Sequence, residues 1–184
     1  MTMSTPLYEV EQLRTLEARG SALLGGDAFA LMARAGEAAW RCVLMHWPQA
    51  QRIVIASGPG NNGGDGYVLA WHAHASGRDV HVLRLPGHAP ASPLAKHACD
   101  EYLASGGRIV ETLEALGHAD LVVDALFGIG LSRALDAATT DLIDAINAQS
   151  VPVLALDVPS GVDARMASTP GAAINARRTL QFIA

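Results

Sequence analysis

Three stretches of this chain gather residues whose types and spacing could do chemistry. The first is Gly58-Pro59-Gly60-Asn61-Asn62-Gly63-Gly64-Asp65-Gly66. Glycines permit close backbone approach, and free amides where a loop enters a helix receive phosphate or another anion. Gly58, Gly60 and Gly63 satisfy GxGxxG, a weak signal by itself. The polar residues among these glycines have two readings. In one, Asn61 and Asn62 take left-handed or Asx-turn conformations and Asp65 caps the helix. In the other, amide oxygens and a carboxylate hold a hard cation or orient a polar ligand. The second stretch has Asp124 at the end of LVVDA, followed by Gly128-Ile129-Gly130-Leu131-Ser132-Arg133. Arg133 suits a phosphate partner or an ordinary surface position. The third has Asp157 at the end of VLALD, followed by Ser160, which is a turn hydroxyl or a neutral ligand to a cation.

Several chemistries are excluded. No Gly-Lys-Ser/Thr ending makes the first loop a nucleotide-triphosphatase loop. A redox dinucleotide site wants an acid at the end of the next strand. That strand ends Leu83-Arg84-Leu85-Pro86, and Asp79 stands at its other end. Ser160 has no general-base His at a strand end, and PSG is not a nucleophile elbow. His72 and His74, two apart on a helix, do not face each other. Cys42 and Cys99 are too few for a disulfide scaffold and too far apart for a zinc motif; both read as packing residues.

The elements that must position these loops alternate. Residues 7–19 have apolar residues three apart, with Gly20 as a stop. Asp27 caps a second helix whose apolar side includes Phe29, Leu31, Met32, Ala35, Ala39, Val43 and Leu44, ending at Trp47-Pro48. Strands are expected at 52–57, 80–85, 108–110, 119–125 and 152–157. Helices are expected after the glycine-rich loop to Ala75, at 93–105, briefly at 113–116, and at 136–148. Residues 177–184 begin another strand. Helices alternating with continuous apolar strands predict an α/β fold, with a parallel sheet covered on both faces. All strand C-termini then point one way, which brings Asp124 and Asp157 beside the glycine-rich loop.

The chain has 184 residues, 50% of them hydrophobic, which suits one domain over 1–184 and rules out global disorder. Thirteen Lys and Arg against 18 Asp and Glu give a net charge of −5. That balance argues against nucleic-acid binding but not against one small phosphate-bearing ligand. No apolar run approaches ~20 residues, so no membrane span is expected. The first residues lack a basic stretch before an apolar core, which points to the cytoplasm.

GPGNNGGDGYVLA (58–70), VDALFGIGLSR (123–133) and ALDVPSGVDA (155–164) resemble the three signature loops of the YjeF N-terminal family, the NAD(P)H-hydrate epimerases. LMARAGEAAW (31–40) resembles that family's second helix. The resemblance implies a three-layer α/β/α sandwich with a Rossmann-like, mostly parallel sheet. It implies an isomerase that interconverts the R and S epimers of NADHX and NADPHX, which are substrates rather than cofactors. Asn61, Asn62, Gly63, Gly64, Asp65 and Asp157 would meet the substrate. Gly128, Ile129, Gly130, Leu131, Ser132, Arg133 and Ala134 would wrap its phosphates. Asn62, Asp124 and Ser160 would hold one potassium ion per subunit. Asp157, then Asp65, would handle the proton. The resemblance further implies coupling to an ADP- or ATP-dependent NAD(P)H-hydrate dehydratase, fused in some relatives, and permits a homodimer. The family pattern continues past Thr179-Leu180-Gln181-Phe182, so a domain shortened at its C-terminal edge is expected. A noncatalytic nucleotide- or protein-binding module is the competing reading. A small-molecule kinase is disfavoured by the missing phosphate-binding Lys.

Overall fold

The computed structural model describes residues 9–131, 134–166 and 168–182. The helices are α1 (Val10–Leu23), α2 (Ala28–His46), α3 (Asn61–Ala75), α4 (Pro93–Ala104) and α5 (Ala137–Asn147). The strands are β1 (Arg52–Ser57), β2 (Asp79–Leu83), β3 (Arg108–Val110), β4 (Leu121–Ala125), β5 (Val153–Leu156) and β6 (Arg178–Leu180). All pairings in the sheet are parallel, in the order β3-β2-β1-β4-β5-β6.

Strand residues alternate between two cores. Ile53, Ile55, Leu121, Val123 and Leu154 pack with Trp40, Tyr67 and Leu69 of α2 and α3, and with Tyr102 of α4. Val54, Val122 and Val153 face Leu142, Ile143 and Ile146 of α5. Both faces are covered, which is why the strands read as continuous apolar runs. Burying one such side chain contributes roughly 1.5–3 kcal/mol, so the middle strands anchor the sheet.

Local signals set the boundaries. The Asp27 carboxylate accepts from the N–H groups of Phe29 and Ala30 and starts α2. Ser92 starts α4 in the same way, accepting from Ala95 N–H. Gly77 takes a φ of 78° just past α3.

Three expectations are corrected. Gly20 does not stop α1, which continues to Leu23 and ends before Gly25 and Gly26, both at positive φ. At Gly20 the helix passes close to Leu31 of α2, and that packing outweighs the weak helix propensity of glycine. Leu44 lies on the exposed side of α2, while Gly36 and Trp40 are buried, so the apolar stripe is rotated from the expected one. The expected glycine-rich loop is mostly helix, because α3 begins at Asn61. The strand expected to begin within 177–184 is found as β6 over Arg178–Leu180; Ile183 and Ala184 lie outside the described residues.

Candidate functional site

Strand order reverses between β1 and β4, so their outgoing chains diverge to opposite faces and leave a crevice. The two chains touch where they part. Gly58 N–H donates to the Ala125 carbonyl at 3.0 Å. A Cβ on Gly58 would stand 1.8 Å from the Leu126 carbonyl oxygen, so only glycine fits there. Three residues later α3 starts, with first-turn N–H groups that have no acceptor within the helix.

The turn-and-cap reading of Asn61, Asn62 and Asp65 does not hold. Asp157 is the one non-glycine residue at positive φ among the described residues, so neither Asn is left-handed. Gly60 is the N-cap, and Asp65 lies inside α3. Asn61 Oδ1 accepts from Ser92 Oγ at 2.7 Å, tying the start of α3 to the start of α4. Asn62 differs: both of its amide atoms are buried without a hydrogen-bond partner. Such a group costs about 1–3 kcal/mol unless something satisfies it.

Asp124 and Ser160 are brought into direct contact. Ser160 Oγ donates to Asp124 Oδ1 at 2.6 Å, and Ser160 N–H donates to Oδ2 at 2.8 Å. Leu126 N–H also donates to Oδ1, at 3.2 Å. Phe127 N–H donates to Ser160 Oγ at 2.9 Å, which ties the loop after β4 to the loop after β5. Asp124 is fully buried, and burial pushes its carboxyl up to about 6 despite these bonds. Its bonds to Ser160 make that serine a support for the carboxylate rather than a nucleophile awaiting a base.

Asp157 follows β5 at a φ of 66°. Its N–H donates to the Leu180 carbonyl of β6 at 2.8 Å, and its Oδ2 accepts from Ile129 N–H at 2.7 Å. Gly128 leaves room for this carboxylate, since a Cβ there would sit 2.2 Å from Oδ2. Burial raises the Asp157 carboxyl, and the Ile129 bond holds it down in part. Asp65 has no hydrogen-bond partner among the described residues. Burial pushes it well above the usual carboxylate range, and the charges of Asp157 and Glu17 push it further.

These groups face a cavity of about 410 Å³ lined by Asn61, Asn62, Asp65, Asp157, Gly128, Ile129, Gly130 and Leu131, among others. Gly63 and Gly64 do not line it; they are buried in α3, against the Gly58 carbonyl and Met32. Ala134 lines a smaller neighbouring cavity with Phe127 and Leu131. Ser132 and Arg133 lie outside the described residues. Lining residues outside the expected loops are Arg14 and Glu17 of α1, and Phe182. For Arg14 and Glu17 the available signal was their place on α1, whose buried Leu13 turns the first-helix face inward. Asp79 stands at the start of β2, ion-paired with Arg108, remote from the strand ends. No helix among the described residues is long and apolar enough to cross a membrane.

A sequence profile of the YjeF-related protein N-terminus matches residues 28–184. The chain is 43% identical over 181 residues to a Bordetella pertussis protein named NAD(P)H-hydrate epimerase, covering 96% of this chain and 77% of that one. It is 38% identical over 179 residues to the Escherichia coli bifunctional NAD(P)H-hydrate repair enzyme Nnr, covering 97% of this chain. The chain spans 35% of the length of that bifunctional relative. The crystal structure of the yeast protein ynu0, YNL200c, superposes with a TM-score of 0.82 at 20% identity, over 96% of this chain and 80% of that one. At that identity the likeness shows the fold, a Rossmann-like parallel α/β sheet.

Proposed function

From the premise that this chain belongs to the YjeF-related N-terminal family, we propose that it is an NAD(P)H-hydrate epimerase, an isomerase that interconverts the R and S epimers of NADHX and NADPHX. The observation that carries the reading is the meeting of two desolvated carboxyls, Asp65 and Asp157, with backbone N–H groups in one cavity at the strand switch point. A hydride-transferring dinucleotide site would place a ribose-binding acid at the end of β2, and Arg84 and Leu85 follow that strand instead.

The chemistry needs no net redox step. The hydroxyl on C6 of the hydrated ring neighbours the ring nitrogen. A protonated carboxyl gives its proton to the departing hydroxyl, which leaves as water while the nitrogen lone pair forms an iminium. Water then adds to the other face and gives up a proton to a carboxylate, restoring a carbinol of opposite configuration and the protonation balance. Asp157 is the first choice for the proton, because Ile129 N–H and the left-handed backbone fix where its carboxyl points. Asp65 is the second. The first-turn N–H groups of α3 and the 128–131 loop receive the substrate's anionic part.

A potassium ion fits the donor chemistry beside this cavity. Asn62 has a buried amide oxygen without a partner, and Asp124 is a buried carboxylate whose bonds are to neutral groups. One carboxylate with amide and hydroxyl oxygens suits a hard cation. When bound, potassium would offset the buried charge of Asp124 and order the loops. Asn62, Asp124 and Ser160 would hold it. The substrate is the product of a hydration side reaction, so the reading includes coupling to an NAD(P)H-hydrate dehydratase that consumes one epimer.

The test is epimerisation of purified (R)-NADHX and (R)-NADPHX with and without potassium, read by chromatography against the spontaneous rate. Protein-dependent acceleration is expected. Asp157→Asn should lower kcat about 100-fold or more. Asn accepts the left-handed conformation and the Ile129 N–H bond, so the fold survives the change. A wild-type protein that does not accelerate the reaction refutes the enzyme reading and leaves a binding module.

A further inference from the structure

Loss of a hydroxyl from one face of a ring and return of water to the other calls for proton transfer at both faces. Asp157 is fixed to one wall and serves one face. Asp65, further in, is held towards its neutral acid form by burial, and a neutral carboxyl has no vacancy for an incoming proton. The first helix supplies the remaining candidates. Arg14 and Glu17 both line the cavity. A guanidinium keeps its protons throughout, and that of Arg14 is bound to Glu11 at 3.0 Å.

Glu17 stands three residues beyond Arg14, at the natural spacing for an intrahelical ion pair. That pair is not made, because Arg14 turns to Glu11. No hydrogen bond or ion pair among the described residues engages the Glu17 carboxyl. The residue is exposed, and it also lines an adjoining cavity of about 490 Å³ that shares Arg14, Asn61, Asp65 and Phe182 with the first. Glu17 therefore borders the reaction cavity and open solvent from the same position. Partial burial and the charge of Asp157 raise it, and Arg14 opposes them.

We propose that Glu17 is a second proton-handling residue of the epimerisation, serving the face of the ring turned away from Asp157. The proposal rests on the epimerase reading. As water attacks the iminium, the C6–O bond forms, the π electrons return to the ring nitrogen as its lone pair, and the Glu17 carboxylate takes the released proton. That proton balances the one Asp157 gave to the departing hydroxyl. One water leaves, one enters, and no electron leaves the substrate. In the reverse direction the two carboxyls exchange roles. Exposure lets Glu17 pass its proton to solvent between turnovers.

The experiment compares the full chain with Glu17→Gln and Glu17→Asp, measuring epimerisation kinetics across pH and uptake of label from heavy-oxygen water into the carbinol. Glu17→Gln should lower kcat about 100-fold, with KM changed by less than about twofold, and label uptake should fall by the same factor. The acidic limb of the kcat profile, set by ionisation of the accepting carboxyl, should disappear. Glu17→Asp should recover part of kcat. The melting temperature should not move, because the carboxyl makes no bond in the fold. Wild-type kcat in Glu17→Gln overturns the proposal while leaving the epimerase reading intact, as does a raised KM at unchanged kcat. An inactive wild type overturns both.

Discussion

Gly128→Ala puts the geometry of the reacting carboxyl to the sharpest test. The new Cβ would stand 2.2 Å from Asp157 Oδ2 and 3.1 Å from its Cγ. An ordinary contact lies at 3.4–4 Å, so the carboxylate or the loop must yield by about 1 Å. A free side chain would swing away at little cost, but this one has its backbone in the left-handed region and its Oδ2 held by Ile129 N–H at 2.7 Å. Yielding breaks that charge-assisted bond, a loss of about 1.5–3 kcal/mol where the carboxylate was bound. A misplacement of about 1 Å at a reacting group costs about 100-fold in rate. The expected result is therefore a kcat/KM for NADHX epimerisation lowered about 100-fold, with a native far-UV spectrum and a cooperative melt. Gly117→Ala is the control, since a Cβ there meets nothing within 4 Å. It should match wild type. The assay is the chromatographic R-to-S conversion at saturating and limiting substrate. If Gly128→Ala turns over like wild type while folded, the fixed position of Asp157 is irrelevant to the rate and the argument from its geometry fails.

Asn62→Ala removes an unsatisfied buried amide, so in potassium-free buffer its stability should stay within about 1 kcal/mol of wild type. Potassium should raise the melting temperature of wild type and not of this variant; equal rises in both would remove Asn62 from the ion's ligands. Asp124 binds its proton more tightly folded, at about 6, than at its model-compound value of 3.8, so its contribution is present below about pH 4 and lost as pH rises through 6. Urea melts in potassium-free buffer should show up to about 3 kcal/mol of that loss between pH 4 and pH 7, other carboxyls held equal. A cation beside Asp124 favours its ionised form, so potassium should flatten that slope; a slope insensitive to potassium would place the ion elsewhere.

Much of the scaffold was legible because its signals are local. The Asp27 cap, the Gly77 exit and the runs RIVIAS and LVVDA need only neighbours along the chain to be read. Asp124 and Asp157 were legible as site residues because a parallel sheet sends every strand end the same way. What escaped depends on packing. Residues 61–66 look like a loop in isolation, yet α3 incorporates them, because glycines there allow the helix to lie close to the sheet and to α2. The left-handed backbone of Asp157 had no sequence signal stronger than the tolerance of Asp for that region. Glu17 was invisible because its importance arises from a wall that α1 forms against elements far along the chain.

The cavity is built of two unlike materials, and this bears on how its specificity can change. Beside the sheet the walls are main chain in tight contact: at Gly58 any side chain would collide with the Leu126 carbonyl, and at Gly128 with Asp157. Around α1 they are side chains on a helix that packs chiefly on α2. Variation along the glycine-bearing loops therefore disturbs the fold or the placement of Asp157, whereas variation along α1 other than at Glu17 alters the mouth alone. Proteins that keep the loops and Glu17 and diverge in the rest of the first helix should share a reaction and differ in what they admit. A mutant library seeking altered substrate range belongs on the inward face of α1, with Glu17 kept.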